Sequence, residues 1–112
     1  MYLPAKTVAQ AALKAFENKQ LGFQNGYEVC KYRYDDGETV CVIGASIPPK
    51  FIEKFPLRNQ DRIDTLIDDG LIETDDLRAL FTMQRAHDHL CEVDPTDEDI
   101  ERFVYLLKRF AN

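Results

Sequence analysis

Four residues of this chain carry side chains that could hold a metal or attack a substrate: Cys30, Cys41, His87 and Cys91. His87 and Cys91 stand four apart, so on a helix they share a face and could offer two ligands to one ion. The pattern is sparse. His89 lies two positions from His87 and so points elsewhere on a helix, and no CxxC or HExxH pair is present to nucleate a site. Cysteine–histidine catalysis would need thiol and imidazole in hydrogen-bond reach, with a third group orienting the base. Asp88 adjoins both histidines but leaves the helix at a different angle. Free cysteine is among the most buried residue types, so reduced, buried thiols without a cofactor are expected. A metal- or thiol-dependent enzyme using Cys30, Cys41, His87 and Cys91 is the competing reading.

Phosphate chemistry finds no foothold either. Gly37, Gly44 and Gly70 form no GxGxxG or P-loop pattern, and each is accounted for by a turn, a strand end or a helix stop. The 112 residues carry 20 acids against 14 bases, a formal charge of -6, with no basic run long enough to follow a phosphate backbone. Direct nucleic-acid binding is therefore not expected. The acids between Asp61 and Asp76, and between Glu92 and Glu101, read first as a solvated face and alternatively as an acidic nucleic-acid mimic for a basic partner.

The elements that must position these residues follow from periodicity. Val8, Ala12, Ala15 and Phe16 recur at helical spacing, predicting a helix from Thr7 to about Gln20 that Gly22 closes in a left-handed conformation. VCKYRY and TVCVI are β-prone runs flanking Asp35, Asp36, Gly37 and Glu38, which predicts a hairpin with Tyr34 facing Thr39, Tyr32 facing Cys41 and Cys30 facing Ile43. One face would carry Cys30, Tyr32, Tyr34, Cys41 and Ile43; the other, Lys31, Arg33, Val40 and Val42. Cys30 and Cys41 would then be diagonal neighbours roughly 7 Å apart, too wide for an easy disulfide.

Beyond Gly44, Pro49 suits the first turn of a short helix packing Phe51, Ile52 and Phe55, which Pro56 stops. A further helix is expected from near Asn59 to Gly70, burying Ile63, Leu66 and Ile67. Thr74 or Asp75 would cap the next, with Leu77, Leu80, Phe81, Gln84 and Leu90 on one side as far as Cys91. Thr96 would cap the last, where Asp97, Glu98 and Asp99 suit the positive end of the helix dipole and Lys108 and Arg109 the negative one. Its buried stripe would be Ile100, Phe103, Val104, Leu107 and Phe110.

The fold class expected is thus α+β: one small domain over residues 1–112, a β-hairpin packed against about four or five helices. MYLPAKTVAQ has no basic segment followed by an apolar run, and the apolar stretches elsewhere are short. Neither a signal peptide nor a membrane span is expected, and a cytoplasmic location follows.

The assembled pattern YRYDDGETVCVIGASIP, then LIDDGLI, then QRAHD resembles a family of small uncharacterised proteins encoded by bacteriophages and prophage-bearing bacterial genomes. The likeness runs from about Cys30 to Asp88. It falls on Cys30, Tyr32, Arg33, Asp36, Gly37, Cys41, Gly44, Ile47, Pro48, Leu80, Gln84, His87 and Asp88. Met83 stands where that family often has leucine, and the tryptophan often seen before the last helix is missing. The resemblance implies a phage or prophage source and supplies no catalytic, cofactor or metal residue. A non-enzymatic accessory protein that binds a host or phage protein is expected, with the hairpin tyrosines and Arg33 as residue types favoured at interfaces. Arg33 and Asp88, rarely buried without partners, are expected to pair and tie the hairpin to the third long helix.

Overall fold

Ala5, Val8, Ala9, Ala12 and Ala15 line one face of the first helix, and side chains this small let another helix lie close along it. The computed structural model describes Met1–Asn112, and in it α1 (Ala5–Glu17) packs chiefly on the last helix, α5 (Asp97–Ala111). Between them in sequence come α2 (Pro49–Lys54), α3 (Ile63–Asp68) and α4 (Leu77–Glu92). α4 leans on both α1 and α5, so the three long helices enclose the core, and Val8, Ala12, Leu80, Met83, Leu90, Phe103 and Leu107 are all buried in it. No helix is long and apolar enough to cross a membrane.

Local chemistry sets the helix ends. Thr96 and Asp99 form a reciprocal cap on α5: the Asp99 N–H donates to Thr96 Oγ1 at 3.2 Å and the Thr96 N–H to Asp99 Oδ2 at 3.0 Å. α4 is capped by Asp76, whose Oδ1 accepts the Ala79 N–H at 3.0 Å. Asp75, expected as a cap for that helix, instead accepts the Ala5 N–H at 2.9 Å and so closes the start of α1, where Pro4 has no side-chain acceptor to offer. α1 stops at Glu17, earlier than its pattern suggests. Lys19, at φ 58°, makes the left-handed turn assigned to Gly22.

The expected hairpin is not formed: the architecture is predominantly helical and has no β-sheet. Its register survives only at the turn. The Tyr34 N–H reaches the Thr39 carbonyl at 3.0 Å, the Cys41 N–H reaches the Tyr32 carbonyl at 3.4 Å, and Arg33 and Val40 form one isolated antiparallel bridge. Gly37 takes φ 77°, as the Asp-Gly turn requires. Beyond that bridge the ladder's hydrogen bonds go elsewhere. The Val40 N–H donates to the Gln20 carbonyl at 2.8 Å, and the Val40 carbonyl accepts from Gly22 at 3.0 Å. Both backbone groups of Arg33 are taken by the Asn59 side chain, at 2.9 and 2.7 Å.

Thr39 through Gly44 are all buried, Val40 and Val42 included, so no two-faced strand with a solvated side exists there. The chain instead coils into a 3₁₀ turn at Gly44–Ser46. Gly44 is essential to that path, because a Cβ there would lie 1.8 Å from the Tyr32 carbonyl oxygen. Two further 3₁₀ turns complete an irregular layer: Gly44–Ser46 packs on α1, Gly22–Asn25 on α4 and Pro56–Arg58 on α2.

Candidate functional site

α4 brings Gln84, His87, Asp88 and Cys91 together on the side that meets the irregular layer. The stripe Leu80, Met83, His87 and Leu90 is its most buried line, so His87 occupies a core position. Its ring lies edge-on to Phe23, with centroids 5.8 Å apart, and 6.2 Å from Phe103. Gly22 leaves room for it, since a Cβ there would come within 3.3 Å of the imidazole and 2.8 Å of Tyr34 Oη. His87 Nδ1 is 3.1 Å from Asp88 Oδ1.

Gln84, which periodicity set on the inward side of α4, is a link whose partners only the structure shows. Its Oε1 accepts the Ile43 N–H at 3.1 Å, and its Nε2 donates to Asp88 Oδ1 at 2.8 Å and contacts Cys30 Sγ at 3.4 Å. Asp88 is thus engaged within α4. Arg33 lies elsewhere, its Nε and Nη2 both donating to the Ile47 carbonyl at 3.1 and 3.0 Å. The expected Arg33–Asp88 ion pair does not form. The guanidinium fork is satisfied by a carbonyl that the Gly44–Ser46 turn carries past it, and the carboxylate by its own helix.

The four residues of the enzyme reading gather in one region without a catalytic arrangement. The Cys30 thiol neighbours that of Cys41. That neighbouring thiol, together with burial, pushes the Cys30 thiol far above its ordinary range. Burial pushes Cys91 up to about 12. A nucleophilic cysteine needs the opposite shift. Cys91 Sγ is 4.0 Å from both ring nitrogens of His87, so it stands across the ring and addresses neither nitrogen in particular. No group of three or more His, Cys, Asp or Glu side chains has a geometry that could hold a metal ion.

The tyrosines expected at an interface are turned inward. Tyr32 Oη donates to the Asp61 carbonyl at 2.5 Å, Tyr34 Oη donates to the Val29 carbonyl at 2.6 Å, and burial raises both phenols above their ordinary range. The open surface lies on the other side of Tyr32. A groove of about 520 Å³ runs between α4 and Gln60–Ile63, with Cys30, Tyr32 and Ile43 also among its lining residues. Phe81 stands where this groove meets a shallower one lined by Leu77, Arg78, Thr82 and Arg85. The Arg62 guanidinium lies 5.7 Å over the Phe81 ring. Arg62, Arg78 and Arg85 are all exposed. Three arginines border the Phe81 ring in a patch of mixed charge, since Arg62 pairs with Asp64 at 3.2 Å and Asp61, Asp88 and Glu92 line the same groove. Arg78 and Arg85, seven apart with Phe81 between them, were its only trace in the sequence.

No family model, curated protein or solved structure matches the chain.

Proposed function

We propose that this chain is a non-enzymatic accessory protein of the phage or prophage type that acts by binding a host or phage protein. The observation that carries the reading is the surface around Phe81. A half-buried aromatic ring flanked by Arg78 and Arg85, with the Asp64-paired Arg62 over it, offers an apolar anchor and two cationic groups able to meet an acidic segment, and aromatic and arginine residues are those that dominate binding interfaces. The partner fitting it is a protein segment that presents an apolar side chain between carboxylates. The phage or prophage source rests on the likeness between Cys30 and Asp88 described above.

The raised thiols and the internal engagement of Gln84, His87 and Asp88 favour binding over catalysis. The acidic-mimic reading loses much of its surface. Arg58 pairs with both Asp61 and Asp69, Asp75 and Asp76 are helix caps, and Asp99 closes the cap of α5.

The test is affinity capture from bacterial lysate with the wild-type chain, Phe81→Glu and Arg85→Glu in parallel. A protein retained by the wild type and released by both variants, at unchanged melting temperature, supports the reading. Equal retention by all three would remove this surface as the binding site.

A further inference from the structure

We infer that α5 is a self-association surface on which a second copy of this chain docks antiparallel. This goes beyond the groove around Phe81, which lies on another face. α5 buries Phe103 and Leu107 against the rest of the fold but leaves Tyr105 66% exposed, the largest such exposure of any aromatic in the chain. Beside it, Phe16 of α1, Ile100 and Val104 form a shallow apolar groove bordered by Glu101 and Lys108. Asp97, Glu101, Val104, Lys108 and Ala111 follow one another at alternating spacings of four and three, which keeps them on one line of a helix and is the spacing of a helix-pairing seam.

Charge placement selects the occupant and its direction. Acids occupy the start of α5 (Asp97, Glu98, Asp99, Glu101), where Arg102 is already paired with Glu98 and leaves Glu101 without a cation, and Lys108 and Arg109 occupy its end. A parallel copy would set Glu101 on Glu101 and Lys108 on Lys108. An antiparallel copy, with its two-fold axis between Val104 and Tyr105, sets Glu101 of each chain opposite Lys108 of the other and Val104 opposite Tyr105. One patch then complements itself, as a two-fold interface requires, with two equivalent ion pairs flanking an apolar centre. Opposed helix dipoles favour the same direction.

The experiment is sedimentation equilibrium of the full chain over a wide concentration range, with circular dichroism to confirm folding. Wild type is expected to show a reversible monomer–dimer equilibrium that weakens with added salt. Tyr105→Glu should be monomeric throughout. Glu101→Lys and Lys108→Glu should each weaken association by about tenfold or more, and the double charge swap, Glu101→Lys with Lys108→Glu, should restore it. Phe81→Glu should leave it unchanged, which separates this surface from the groove. A wild-type chain that stays monomeric at every concentration would overturn the inference. So would a dimer that survives Tyr105→Glu, or a double swap no better than either single change.

Discussion

The Gln84 side-chain carbonyl accepts the backbone N–H of Ile43 at 3.1 Å, joining the longest helix to the segment that coils where a strand was expected. Ile43 is fully buried, so its N–H has no water to turn to. Gln84→Leu should therefore destabilise the fold by about 1–3 kcal/mol, the cost of a buried donor left without a partner. Chemical denaturation would measure it, and an unchanged midpoint would mean the Ile43 N–H is not buried in solution.

Gly44 and Gly37 should differ sharply as alanine variants. At Gly44 the new methyl meets the Tyr32 carbonyl, a backbone atom that cannot rotate away, whereas at Gly37 it meets nothing and the only cost is the positive φ. Gly37→Ala should lose about 1 kcal/mol and Gly37→Val at least that much. Gly44→Ala should fail to reach the native fold or lose several-fold more. Melting temperatures in the reverse order would contradict the crossing of the chain at Tyr32.

Arg33 and Asp88 should be energetically independent. Arg33→Ala strips the Ile47 carbonyl of its donors, and Asp88→Ala strips Gln84 and His87 of an acceptor, so each should destabilise on its own. With no shared partner, the double mutant should lose the sum of the two within about 0.5 kcal/mol. A larger coupling would restore the ion pair that the structure does not form.

Alkaline pH should weaken the fold through the thiols. Cys91 is held at about 12 in the folded chain against an ordinary 9.0. The folded state therefore keeps a proton that the unfolded state releases, and this contribution is intact below about pH 9 and lost as pH rises toward 12. Cys91→Ala should flatten the decline in denaturation midpoint across that window. Below it, native thiols should react slowly with an alkylating reagent and completely once unfolded.

Acid acts on the Asp36 turn with the opposite sign. The Thr39 hydroxyl, together with the Thr39 and Glu38 N–H groups, holds the Asp36 carboxyl down at about 2 against an ordinary 3.8. The folded state releases its proton first, so the stabilisation is present above about pH 4 and disappears as pH falls toward 2. Asp36→Asn should be less stable near neutrality and lose less on acidification. Parallel acid curves for both proteins would exclude the contribution.

What the residues determined alone was whatever depends on neighbours within a few positions. The Thr96 cap, Pro49 opening α2 and Gly37 turning the chain are local matters of capping and backbone freedom, and they stand where the pattern places them. Periodicity placed α4 and α5 but only part of their buried lines: Leu80, Leu90, Phe103 and Leu107 are buried as expected, while Met83 and His87 take the core positions given to Phe81 and Gln84. The β-prone runs around that turn were legible as residues that would be buried, but not as the shape they would take. A strand persists only if its hydrogen bonds are met by a partner strand. Here Val40 is served by Gln20 and Gly22, Arg33 by Asn59 and Ile43 by Gln84. Those acceptors and donors are far apart in sequence and arrive only when the helices pack, so tertiary structure decided the coil, the separation of Arg33 from Asp88, and the placement of Arg62 over Phe81.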